Sequence, residues 1–244
     1  MDRMIYLSMA GAKAMMQRQE TLANNLANAS TTGFRAELQA FRAVPVRGEG
    51  ASTRVYALET TTGYDATPGV VHATGRPLDV AMQGNAWLAV QGLDGTEAYT
   101  RNGALTVSAD GTLMTQGGLV VLGDGGPLQA PPNATLSIAP DGTVSARQGN
   151  GTSTPVGRLK LVTPEAPLQR GADGLFRAPG AEDLPADPNA RLQDGALEGS
   201  NVSAVETMVQ MIAAARQFEA QMKLLQTAER NEQTAGKLLA PNGA

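Results

Sequence analysis

His72, in Val70-Val71-His72-Ala73-Thr74, is the only histidine of this 244-residue chain, and cysteine does not occur. A Ser-His-Asp constellation would have to use that one imidazole, and a Cys nucleophile or thiolate metal site has no residue to build on. No G-x-S-x-G turn, the device that lifts a serine hydroxyl out of a strand-to-helix bend, accompanies it. Glu182-Asp183 and Asp187 are the residue types of an acid–base pair, but they stand in a proline-rich stretch that reads as a solvated loop. Gly123-Asp124-Gly125-Gly126 is glycine-rich but lacks both the Lys-Ser/Thr of a phosphate cradle and the G-x-G-x-x-G spacing, so it reads as a turn. The aspartate pattern of a calcium loop is absent, and Trp87 in Ala86-Trp87-Leu88-Ala89-Val90 reads as core. The chain is therefore expected not to be an enzyme, with no catalytic residue, cofactor, metal or small-molecule substrate.

Charge and composition narrow the partners. A net charge of −4, a pI near 5.1 and no run of Lys or Arg argue against nucleic acid. No apolar run approaches the roughly 20 residues that span a bilayer, so no membrane insertion is expected. Met4–Ala12 is mildly apolar and ends in small residues, but Met1-Asp2-Arg3 carries no net positive charge and the helical pattern runs on past Lys13 and Arg18. A cleaved signal peptide is not expected.

The elements fall into an α+β pattern, a central all-β region flanked by long amphipathic helices. Ile5, Met9, Ala12, Met16, Leu22 and Leu26 recur at three-to-four spacing or its multiples, which predicts a helix from Met4 to Ala29, about 39 Å long. Gly33 is its expected stop, able to take the left-handed conformation that ends helices. Ser203-Ala-Val-Glu206 is a capping-box pattern, and the 3-4 run of Val205, Met208, Ile212, Ala215, Phe218, Met222 and Leu225 predicts a second helix up to Gly236. Between them, Leu78–Met82, Leu105–Val107 and Leu136–Ile138 alternate as strands do. Asp94-Gly95, Asn102-Gly103, Asp110-Gly111, Asp141-Gly142 and Asp173-Gly174 predict hairpin turns. Pro164–Asp194 reads as irregular surface chain. The expected division is an N-terminal assembly helix over 1–35, an extended linker over 36–60, a β-rich domain over 61–197 and a C-terminal assembly helix over 198–244, the two helical ends forming one helical core.

Those two helices pose a physical problem. Their stripes are rich in Ala and Met, and as a lone pair they would make a two-helix hairpin with apolar surface showing. Narrow, Ala-lined stripes suit close packing against several neighbours, so the ends are expected to be marginal alone and to order in an assembly. Within LANNLANASTTGF (Leu22–Phe34), Asn24, Asn25 and Asn28 crowd a leucine-bearing helix. They serve either as amides that fix register against neighbouring subunits or trapped water, or as the ordinary polar residues of a solvated helix end.

Together the ends carry a resemblance. LANNLANASTTGFRAELQAF (Leu22–Phe41) resembles the SNNIANxxTxGFK-like N-terminal signature of bacterial flagellar rod and hook proteins. SNVSAVETMVQMIAAARQFEAQMKLLQTAE (Ser200–Glu229) resembles their C-terminal signature, and Gly75–Val90, Tyr99–Gly118 and Val121–Gln129 are similar to their β domain. The opening MDRMIYLSMAGAK and the modest length are most similar to the proximal-rod branch. The resemblance implies a self-assembling structural subunit of the basal-body rod, a hollow drive shaft that crosses the periplasm and passes exported subunits. It implies other rod proteins and the flagellar type III export apparatus as partners, and terminal helices that form coiled-coil layers on assembly. The implied assembly interface is Ile5, Met9, Ala12, Met16, Leu22 and Leu26, with Asn24, Asn25 and Asn28 setting register and Gly33 and Phe34 closing the segment. Val205, Met208, Ile212, Phe218, Met222 and Leu225 are expected to face that seam, with Gln210, Gln217 and Gln221 toward the lumen. A distal-rod member of the same family and a secreted β-rich binding module are the alternatives.

Overall fold

In the computed structural model, which describes residues 2–45, 55–149, 151–180 and 182–239, the N-terminal pattern forms helix α1, Asp2–Ala27. It stops short of Gly33 because Asn28 and Thr31 take the backbone into turns: the Thr31 N–H donates to the Asn28 carbonyl at 3.1 Å and the Thr31 hydroxyl to the Asn28 side chain at 3.1 Å. Short polar side chains compete with the helix in this way. Helix α2, Ala204–Leu239, begins where the serine was expected to cap it. The Ser203 hydroxyl accepts the Glu206 N–H at 3.4 Å, while the Glu206 carboxylate takes the Gln210 amide at 3.2 Å instead of reaching back to the cap. Gly236 does not end α2, since one exposed glycine costs a helix only about 1 kcal/mol.

The chain divides into two compact units. The helical unit takes Met1–Ala27, Glu37–Gly63 and Ser203–Ala244. In it α1 packs along α2 and also meets strand β1, Glu37–Pro45, which pairs with β2, Val55–Tyr64. The stretch 36–60, expected as a linker, thus supplies most of a two-stranded sheet. Its alternation is real but chemically mixed: Glu37, Gln39 and Phe41 are half-buried while Leu38, Ala40 and Arg42 are exposed.

The β unit, Asn28–Ala36 with Tyr64–Val202, is built from short antiparallel strands. Its largest sheet runs Leu161–Val162, Trp87–Gln91, Glu97–Thr100, Phe176–Arg177, Gln169–Arg170. A second has Ala134–Ile138, Thr143–Gln148 and Thr154–Arg158 in hairpin order. Val80, Leu88, Val90, Leu105, Leu113 and Leu161 fill one core; Trp87, Tyr99 and Phe176 anchor another, with Trp87 and Phe176 ring centroids 4.7 Å apart. Pro164–Asp194 is not surface chain: it contributes two strands to the large sheet, and Leu168, Leu175 and Leu192 are buried.

Four of the five expected turns join paired strands. In three of them the aspartate accepts the N–H two residues on: Asp94 from Thr96 at 3.1 Å, Asp141 from Thr143 at 2.9 Å and Asp173 from Leu175 at 3.1 Å. Asn102-Gly103 is the exception. It joins strands of different sheets, and a Cβ on Gly103 would lie 1.7 Å from the Val80 carbonyl oxygen, so the glycine serves close backbone approach. Gly123 pairs back onto Gly126, the turn expected there, and His72 stands exposed on the strand Val71–Ala73.

Candidate assembly interface

The crowded amides are used largely inside the chain. Asn25 is buried, and its side chain grips the backbone of Glu37 from both sides, donating to the carbonyl at 2.9 Å and accepting the N–H at 2.8 Å. An amide carries a donor and an acceptor side by side and so can imitate a strand neighbour. Asn24 is exposed and reaches the Glu37 carboxylate at 3.2 Å, and Asn28 holds Thr31. Asn25, expected to set register against a neighbour, instead holds β1 to α1.

Gly33, Phe34 and Arg35 belong to the β unit. Gly33 has φ 69°, and a Cβ there would lie 2.3 Å from the Arg101 backbone, so both conformation and space demand glycine. Phe34 is buried beneath the Arg170 guanidinium, 4.4 Å from its ring centroid, and Arg170 donates to the Arg35 carbonyl at 3.1 Å. Thr31, Thr32 and Phe34 form one wall of a cavity of about 250 Å³ whose other walls include Thr100, Leu119 and Leu175. The segment is thus a seated part of the β unit.

The helices bury small residues. On α1, Ser8, Ala12, Ala14 and Leu22 are buried with Asn25. On α2, Thr207, Ala214 and Ala228 are buried, and Gln221 stands over Gly11, its amide 3.2 Å from where a Cβ would be. Positions 207, 214, 221 and 228 recur every seven residues, with half-buried Met211, Phe218 and Leu225 between them, the 3-4 alternation of a coiled-coil seam. Small side chains let two helix backbones approach closely.

Many of the bulky apolar residues face outward. Val205 is 75% exposed, Met208 50% and Ile212 55%, while Met222, Val209 and Leu224 are also exposed. Of the six residues expected to face α1, Val205, Met208, Ile212 and Met222 are exposed in the single chain, while Phe218 and Leu225 are half-buried. On α1, Tyr6, Met9 and Met16 are likewise exposed; Ala12 and Leu22 do face inward and Leu26 is half-buried. The side chain of Ile5 lies outside the described residues. Gln221, expected toward a lumen, is committed to Gly11. The stripe was legible as apolar, but which side of it packs inside the chain was not, because size and not hydrophobicity selects the inner face.

Sequence reasoning missed Glu198, Arg101 and Asn201. Asn201 accepts the Ala36 N–H at 2.7 Å and donates to the Asp65 and Thr67 carbonyls at 3.0 and 2.9 Å. Its place in the Ser200-Asn201-Val202 signature was the one available signal.

Known proteins match along the same ground plan. Residues 5–35 match the profile of flagella basal body rod proteins, residues 81–146 that of the flagellar hook protein FlgE/F/G D1 domain, and residues 193–238 that of the flagellar basal body rod FlgEFG protein C-terminal region. The flagellar basal-body rod protein FlgF of Salmonella typhimurium is 48% identical over 98% of this chain and 99% of its own length, and that of Escherichia coli matches to the same extent. The flagellar basal-body rod protein FlgG of Agrobacterium fabrum is 33% identical over 93% of the chain and 95% of its own length. The chain belongs to the flagellar basal-body rod protein family.

Proposed function

We propose that this chain is a structural subunit of the flagellar basal-body rod, and that the outward faces of α1 and α2 are the surfaces by which it packs on other rod subunits. The carrying observation is the inversion of the helical unit, which hides Ser8, Ala12, Thr207 and Ala214 and shows Met9, Met16, Met208 and Ile212. A contiguous apolar helix face on a soluble unit marks an interaction surface. Each subunit brings a ready-made helix pair, and neighbouring pairs cover the exposed stripes as coiled-coil layers. Contacts of this head-to-tail kind, where they do not close into a ring, generate a helical tube. In this reading the partners are the other proximal and distal rod proteins, the route is the flagellar export apparatus without signal cleavage, and the site is the periplasm-spanning basal body. The 48% identity to the FlgF proteins of Salmonella typhimurium and Escherichia coli over nearly the whole chain supports a proximal position.

The test is mass spectrometry of purified basal bodies, paired with charge insertion on the exposed stripe. Peptides of the parent chain are expected at subunit stoichiometry, while Met208→Asp and Ile212→Asp chains should fold, be absent from basal bodies and leave cells non-motile. Absence of the parent chain from basal bodies, or full motility of both variants, sinks the reading.

A further inference from the structure

A densely bonded polar cluster lies buried in the β unit. Glu198, 1% exposed, accepts from Arg35 Nη1 at 2.5 Å, from Arg101 Nε at 2.8 Å and from the Gly69 N–H at 2.9 Å. Both arginine side chains are 2% exposed. Their surroundings differ. Arg101 also donates to the carbonyl oxygens of Met82 at 3.0 Å, Gly84 at 3.1 Å and Ala86, so the β unit holds it by several bonds. The Arg35 guanidinium is anchored by Glu198. The backbone repeats the pattern. The Gly33 N–H donates to the Glu198 carbonyl at 2.8 Å, the Asn201 N–H donates to the Phe34 carbonyl at 3.3 Å, and Asn201 accepts from Ala36.

Sequence separation gives this cluster its meaning. Arg35 and Glu198 are 163 positions apart, and the residues either side of them are the N- and C-terminal signatures. Two guanidinium groups share one carboxylate, so the buried cluster already carries one excess positive charge. Removing the carboxylate leaves two buried cations with no anion, a far worse arrangement than removing one arginine. Burial already pulls Arg101 below its usual range, with Glu198 opposing that shift and Arg35 adding to it.

We infer that Glu198 is the positioning residue of the N-terminal signature, making the seating of Gly33-Phe34-Arg35 conditional on the arrival of residues 196–201. A chain whose C-terminal segment is not yet in place then holds its N-terminal signature unseated. Assembly competence thereby waits for the complete chain, a clause that rests on the rod reading; the seating itself does not.

The test uses full-length protein carrying Glu198→Gln, Arg35→Met or both, read by amide hydrogen exchange. In Glu198→Gln, exchange of the Gly33 and Ala36 amides should rise about tenfold or more while the strand Thr143–Gln148 keeps its protection. Adding Arg35→Met removes one uncompensated cation, so the double variant should lose no more protection at Gly33 and Ala36 than Glu198→Gln alone, a non-additivity that independent structural losses would not give. Protection of Gly33 and Ala36 within about twofold of the parent in Glu198→Gln, or a double variant worse than Glu198→Gln alone, overturns the inference. Should neither glutamine variant fold, Arg35→Met alone decides: faster exchange at Gly33 and Ala36 upholds it, and unchanged exchange overturns it. An unseated segment with undiminished motility would leave the seating intact and overturn only the assembly clause.

Discussion

The β unit and the helical unit solve the burial problem in opposite ways. The β unit puts its large side chains inside: Trp87, Leu88, Leu105 and Leu161 are almost wholly buried, and its outward positions are mostly polar. The helical unit puts alanine, serine and threonine inside and leaves methionine, valine and isoleucine on the surface. A unit that has buried its bulk is a finished core, whereas one that shows its bulk has used its small residues for close helix approach and leaves apolar area uncovered in the single chain. The same chain thus contains one unit with its bulky side chains buried and one unit with many of them exposed.

The sharpest break of that comparison is a pair of truncations. Leu88→Ala in the β core should cost about 2–5 kcal/mol, the transfer loss plus the cavity. Met208→Ala on the exposed stripe should move the stability of the free chain by no more than about 0.5 kcal/mol. Urea unfolding of the isolated protein, followed by the emission of its single tryptophan, measures Leu88→Ala directly, and helical ellipticity measures Met208→Ala. Similar losses at both positions would mean that the helical face is core after all.

How much of this was readable without coordinates follows the same divide. Hairpins of the β unit were legible because Asp-Gly chemistry and alternation are local: the aspartate bonds an N–H two residues away, and the strands lie on either side. Both helices were legible as periods. Their inner faces were not, since Thr207, Ala214 and Ala228 carry a weak hydrophobic signal and Met208 and Ile212 a strong one. β1 escaped because its half-buried positions include the polar Glu37 and Gln39, so its alternation carries only a weak apolar signal. The Arg35–Glu198–Arg101 cluster escaped because nothing in a one-dimensional pattern pairs charges across 163 positions.

Two glycines, one in each unit, refine the contrast. Gly33→Ala forces a Cβ into the Arg101 backbone at a positive φ and should cost about 2 kcal/mol or more. Gly11→Ala places a methyl 3.2 Å from the flexible end of Gln221, which can swing aside, and gains up to about 1 kcal/mol of helix propensity. A near-neutral or stabilising result is expected there. Thermal unfolding of the two variants ranks them, and a Gly11→Ala chain as damaged as Gly33→Ala would show the helix seam to be as rigid as the β unit. Asn25→Ala falls between the two. It strips the Glu37 backbone of a donor and an acceptor and should cost about 1–3 kcal/mol, with faster exchange at the Glu37 amide as its local signature.

Acid should separate the units most gently. Asp94, Asp110, Asp141, Asp173 and Asp187 are all held below the ordinary carboxylate value, and all stand in the β unit. The leading causes are hydrogen bonds: from Thr96 to Asp94, Ser108 to Asp110, Thr143 to Asp141, Arg177 to Asp173 and Thr163 to Asp187. A carboxyl whose folded pKa is depressed contributes stability that is present above its unfolded pKa and lost as pH falls through the folded value. The loss is therefore expected below about pH 4 and absent near neutrality. Because these carboxylates are largely solvent-exposed, the effect is modest and shrinks with added salt. Trp87 reports on the β unit and ellipticity at helical wavelengths on α1 and α2. On acidification at low salt, the Trp87 midpoint in urea should fall while the helical signal at fixed denaturant lags behind it. Coincident loss of both signals at every pH would mean that the units unfold as one, and that the division of labour between a finished core and an unfinished one is confined to their surfaces.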